Sequence, residues 1–148
     1  MRLLAEQTVS ISCDVTTAFA YVANMENFSQ WFPGVRSLVS NNSLQPTDIG
    51  KEYREVFTAA GKDQNIVLRV KEVQRDGLFI TEGEYPPLLP RMEVTFQSQG
   101  AQSCSVIWRM FSRNHSFIGG FTWLPLARRV IRGRSSLGVQ QLKKILES

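Results

Sequence analysis

Two pairs of side chains hold most of the acid–base chemistry this sequence can offer: Tyr53 with Glu55, and Glu82 with Glu84. Residues two apart on a strand share one face. A pair turned toward an apolar interior could polarise or deprotonate a ligand carbonyl or enol; a pair turned to water is only solvated. For Glu82 and Glu84 the outward reading is preferred, and for Tyr53 and Glu55 both readings stand. Arg54 and Arg69 could clamp a carboxylate if they faced inward. His115 is the sole histidine, and imidazole suits proton transfer near neutral pH. Its neighbours Ser112, Arg113, Asn114 and Ser116 instead point to an exposed loop. One histidine without a carboxylate cluster makes no metal site, and no metal or other cofactor is expected. No GxSxG, HExxH, phosphate loop or dinucleotide fingerprint is present, which argues against the usual hydrolase, protease and nucleotide mechanisms.

These groups need a scaffold, and the totals bound it. A chain of 148 residues, 43% hydrophobic and 20% charged, is the size and composition of one globular domain spanning residues 1–148. No apolar run approaches the roughly 20 residues that span a bilayer. The opening MRLLAEQTVSIS turns polar after four residues and lacks the apolar core of a signal peptide, so a cytoplasmic location is expected. Cys13 and Cys104 are too few for a disulfide framework and lack metal-site spacing; two buried thiols are expected. The net charge of +4 is uneven: residues 109–148 carry +7 and residues 1–108 carry −3. A basic end can meet a membrane surface or an anionic partner, but it is more often the solvated face of a helix.

The elements follow from periodicity. Glu6 to Cys13 alternates, with Val9, Ile11 and Cys13 on one face, as a half-buried strand does. Asp14 is placed to cap a helix in which Phe19, Val22 and Ala23 form one apolar stripe. Met25 to Trp31 adds one or two further turns. Phe28, Trp31 and Phe32 then make an aromatic plug closed by Pro33 and Gly34. Period-two strands follow over Val35–Val39, Lys51–Ala60, Asn65–Gln74, Leu78–Glu84, Arg91–Gln97 and Ala101–Phe111. Turns are expected at Gly61-Lys62-Asp63, Arg75-Asp76-Gly77 and Gln99-Gly100, and a breaker at Tyr85-Pro86-Pro87-Leu88-Leu89-Pro90. Such a series is an antiparallel meander with one apolar face to cover. The one long element left is a helix from about Leu124 to Leu146, with Pro125 in its first turn. At about 35 Å it can run across the sheet. Arg128, Arg129, Arg132, Lys143 and Lys144 are expected to face water mostly.

A strand, two short helices, a six-strand meander and a long terminal helix resemble the helix-grip fold of the START, plant-allergen and polyketide cyclase/dehydrase superfamily. The resemblance rests on Ala18-Phe19-Ala20-Tyr21-Val22-Ala23-Asn24, Asn27-Phe28 and Trp31-Phe32-Pro33-Gly34-Val35. Gly50, Val106-x-Trp108 and Leu142-Lys143-x-x-Leu146-Glu147 add to it. It implies an α+β fold in which a curved antiparallel sheet of about seven strands wraps the terminal helix. It also implies that the first strand pairs with the last, which would make Cys13 and Cys104 cross-strand neighbours.

The resemblance further implies an apolar cavity between sheet and helix. Leu68, Val70, Met92, Phe96, Trp108 and Met110 are the expected inner-face positions, and Ile131 and Ser135 the contributions of the helix. The helix middle, Arg132-Gly133-Arg134-Ser135-Ser136-Leu137-Gly138, is poor in helix formers. Its small residues leave room for a pocket, or else allow a close helix–sheet contact. The expected function is binding of a small hydrophobic ligand such as a lipid, quinone or polyketide-like molecule. The alternatives are a cyclase/aromatase or dehydratase-type enzyme, and a carrier docking on a membrane or protein through its basic terminal helix. Nucleic acid is not an expected partner, because the basic residues are confined to one end and the aromatics look buried.

Overall fold

The computed structural model describes residues 1–115 and 123–148. Strand β1 spans Arg2–Ile11. Asp14 accepts the Thr17 amide at 3.0 Å and the Thr17 hydroxyl at 2.6 Å, starting helix α1, Val15–Val22. Asn24 caps a 3-10 turn, Met25–Asn27, and α2, Phe28–Trp31, follows at once. Then come β2 (Val35–Ser40), β3 (Glu52–Ala59), β4 (Lys62–Gln74), β5 (Leu78–Glu84), β6 (Pro90–Gly100), β7 (Ser103–Ser112) and the terminal helix α3 (Leu124–Glu147). The strands form one seven-stranded antiparallel sheet in the order β1-β7-β6-β5-β4-β3-β2. First and last strands pair as expected, and the architecture is the helix-grip fold.

Two local departures from the sequence reading have clear causes. β1 begins at Arg2 rather than Glu6 because its register shifts between Leu3 and Ala5. That bulge buries the consecutive residues Leu4 and Ala5 and breaks the alternation that marks a strand. The hairpin between β3 and β4 turns at Ala60 and Gly61, with φ of 53° and 75°. Two consecutive left-handed residues make the tight turn whose twist suits a hairpin. Lys62 and Asp63 therefore already belong to β4, paired with Ala59 and Thr58.

α3 lies along β1 and satisfies part of that edge strand's backbone. Arg128 Nε donates to the Leu3 carbonyl at 3.1 Å and Lys143 Nζ to the Ser10 carbonyl at 2.7 Å. The Ser12 amide donates to the Glu147 carboxylate at 2.7 Å. Arg128 and Lys143 are thus partly drawn onto the sheet edge, whereas Arg129, Arg132 and Lys144 are exposed. From its middle onward α3 buries Ser135, Gly138, Val139 and Leu142.

The aromatic plug closes the same end of the core. Phe28 stacks on Phe32 at 4.8 Å between centroids and meets Trp31 edge-on at 5.1 Å. Phe32 lies 5.4 Å from Trp108 of β7. Such pairs contribute about 1 kcal/mol each beyond their burial.

Candidate ligand cavity

The apolar side chains of the sheet's inner face do not all pack against α3. Between the N-terminal half of α3 and strands β3 to β7 they leave a cavity of about 390 Å³. Phe57, Ile66, Leu68, Met92 and Met110 wall it from the sheet, and Leu126, Ala127, Val130 and Ile131 from α3. Phe28, Phe32 and Pro33 close it on the plug side, and Tyr85, Pro87 and Leu88 on the other. Leu126 and Val130 are themselves exposed, which places them at its rim.

One carboxyl interrupts these walls. Glu55 lies between Leu38 of β2 and Ile66 of β4 in the strand register and lines the cavity. It is only 8% exposed, and it has no hydrogen-bond or ion-pair partner among the described residues. Burial among apolar neighbours disfavours the charged form and pushes its pKa up to about 7. Near neutral pH this carboxyl can therefore either give or accept a proton. Thr81 lines the cavity as well.

The matching family model carries the description "Polyketide cyclase / dehydrase and lipid transport" and covers residues 2–147. The chain belongs to that family. Solved structures similar to this cyclase/dehydrase family member share its fold at low sequence identity. A START superfamily protein from Mycobacterium smegmatis aligns with TM-score 0.76 and 13% identity over 97% of this chain and 96% of that one. The Zhui aromatase/cyclase from a Streptomyces species aligns with TM-score 0.75 and 13% identity over 97% and 92%. The di-domain aromatase/cyclase BexL of the BE-7585A biosynthetic pathway aligns with TM-score 0.74 and 19% identity. This family member matches 97% of its own length to 46% of BexL, about half of the larger protein. No curated protein matches the sequence.

Of the expected cavity positions in this cyclase/dehydrase family member, Leu68, Met92, Met110 and Ile131 line the cavity. The structure places Val70, Phe96, Trp108 and Ser135 in packed core outside that lining. Val70 is fully buried. Phe96 meets Phe19 of α1 edge-on at 5.3 Å, and Trp108 is taken by the plug. Ser135 accepts a hydrogen bond from Gln7 at 3.2 Å and donates to the Arg132 carbonyl at 3.2 Å. The small residues of α3 thus divide by role. Gly138 permits a close approach to the plug, while Gly133 faces open space.

The carboxylate pairs separate by face. Tyr53 and Glu55 turn inward and are buried. Glu82 and Glu84 lie on the face opposite Thr81. There Arg91 bonds Glu82 and Glu93 at 2.7 Å each, and Arg113 lies 3.7 Å from Glu82. Arg54 is exposed, and Arg69 pairs with Glu52 at 2.9 Å, so neither lines the cavity. His115 is exposed; its neighbour Ser116 lies outside the described residues. No cluster of metal-ligating side chains occurs among the described residues. No helix among them is long and apolar enough to cross a membrane. Cys13 and Cys104 are both free and buried, with Cys104 opposite Ile11 in the register.

Sequence reasoning missed parts of this site. Gly83 does not line the cavity, but it shares the inner face with Thr81 and leaves room for a lining residue: a Cβ there would fall 2.5 Å from Ile66 Cδ1. The segment Tyr85–Leu88 reads as a mere breaker but forms a wall. Arg134 is given no role by the sequence, standing among the small residues in the middle of α3, but lines the cavity.

Proposed function

We propose that the protein holds a small apolar or amphipathic molecule in the cavity between sheet and α3. The observation carrying this reading is a cavity of about 390 Å³, apolar apart from a few polar groups, with one buried unpaired carboxyl. Pockets of about 300–1,000 Å³ with apolar walls and few polar groups are what small-molecule sites look like. Apolar burial would supply affinity at about 25 cal/mol per Å² removed from water. Glu55 would orient the molecule by a hydrogen bond. Native mass spectrometry of protein purified from its source tests the reading. A co-purifying lipid, quinone or polyketide-like mass is expected; an empty protein that also fails to bind Nile red overturns it.

Glu55 supports a second reading, in which the same cavity carries out proton-transfer chemistry of the cyclase or dehydratase kind. The family description and the aromatase/cyclase neighbours agree in class with such a role. A carboxyl titrating near neutral pH can protonate a ligand oxygen in one step and take a proton from an acidic ligand carbon in another. Under this reading, Glu55→Gln abolishes turnover of a bound poly-β-ketone while leaving its binding within a few-fold; unchanged turnover in that variant excludes Glu55 as the acid–base group.

A further inference from the structure

Among the described residues, two that line the cavity carry formal charge, Glu55 and Arg134. They differ in setting. Glu55 is buried, whereas Arg134 is half-buried on α3, four residues along from the exposed rim residue Val130. Arg134 has no ion pair or hydrogen bond with any described residue, Glu55 included.

The Arg134 guanidinium lies against the backbone of Gly34. Gly34, which follows the plug, adopts φ +87°. A Cβ built on it would fall 2.5 Å from Arg134 Nη1 and 2.7 Å from Cζ. The guanidinium therefore occupies the space that any side chain at position 34 would fill. A planar donor fork, seated beside an apolar chamber and left without an acceptor among the described residues, is matched by a carboxylate, which takes two parallel N–H bonds. The rest of α3 reinforces the sign: its one acid, Glu147, lies at the far end and is held by Lys143 at 2.7 Å. A cationic head is disfavoured at Arg134, and an anionic head is disfavoured beside Glu55 when that group is ionised. Charge thus orients the ligand.

We propose that the cavity selects apolar carboxylic acids, with the acid group on Arg134 at the rim and the apolar body running inward toward Glu55. This rests on the binding reading above and adds the ligand class and its orientation.

The test is displacement of Nile red, an uncharged probe, by decanoic acid and by methyl decanoate at neutral pH. The wild-type protein should bind the acid about ten-fold more tightly than the ester. Arg134→Met keeps the apolar stem but removes the fork; it should erase that preference, so that acid and ester compete equally. Arg134→Lys should restore part of it. Equal competition by acid and ester in the wild type overturns the assignment, as does a preference that survives Arg134→Met. Nile red that fails to bind at all overturns the cavity reading itself, so the two failures are told apart. The elution volume and unfolding midpoint of Arg134→Met should match wild type; with a folded variant, the lost preference belongs to the guanidinium.

Discussion

Gly138 of α3 stands directly over Phe32 of the plug: a Cβ at Gly138 would lie 3.3 Å from Phe32 Cδ2 and 3.3 Å from the Trp31 carbonyl oxygen. The helix is held at this crossing, and the contact divides its packed C-terminal half from the half that lines the cavity. A large side chain at 138 must push the helix off the plug. Gly138→Leu should therefore destabilise the protein by about 1–3 kcal/mol, the usual cost of overpacking. Urea unfolding measures this; an unchanged midpoint would mean that the helix is free to shift.

Glu55 makes stability depend on pH in a defined direction. Its folded pKa of about 7 lies above the ordinary value of 4.5. The folded state therefore holds the proton more tightly, and the contribution is complete below the unfolded value. It is lost as pH rises through the folded one. Glu55→Gln cannot ionise, so the variant should gain on wild type between about pH 5 and pH 7.5, by up to about 3 kcal/mol. Unfolding curves of both proteins at the two ends of that window decide it. A constant difference would mean that Glu55 is not desolvated.

Ala127 lines the cavity from α3 and is only half-buried. Ala127→Trp should occupy the empty volume and weaken Nile red binding by at least about ten-fold, with stability changed by no more than about 1 kcal/mol. Trp108→Ala should do the reverse. It removes a ring packed against Phe32, costs about 3–5 kcal/mol, and takes away no residue of the cavity lining itself. If the two variants behave alike, cavity and core are not separate.

The thiols should be inert in the native state. Burial is the main cause that pushes Cys13 up to about 11, with neighbouring Cys104 adding to it, and burial also raises Cys104. Thiolate is the reactive form. Both cysteines should resist an aromatic disulfide reagent at mildly alkaline pH and react fully once unfolded in guanidinium. Fast native labelling of either would contradict this burial.

The fold was legible because alternation and order are local signals. Asp14, Phe19 and Val22 announce the first helix, and six alternating stretches announce the meander. The site was less legible because inner face and cavity are different properties. Val70 and Met92 have the same alternation, yet Val70 is sealed in the core and Met92 lines the chamber. What separates them is tertiary packing between residues far apart in sequence, of which Gly138 against Phe32 is one example. Glu55 was visible only as one half of a pair with Tyr53, since nothing in its strand says which face is dry. Arg134 was hidden because nothing in the sequence of α3 says that its guanidinium lies against Gly34, a hundred residues earlier in the chain.

The bonds from α3 to β1 make the two borders of the sheet unequal. At β1 the carbonyls of Leu3 and Ser10 and the amide of Ser12 are already engaged by side chains of the helix. At β2 the backbone pairs with β3 on one side, and the short strand carries the exposed Val39 on its surface. Another molecule extending this sheet by strand addition would have to displace the helix on one side but not on the other. The helix that roofs the chamber therefore also acts as a barrier to polymerisation along one margin.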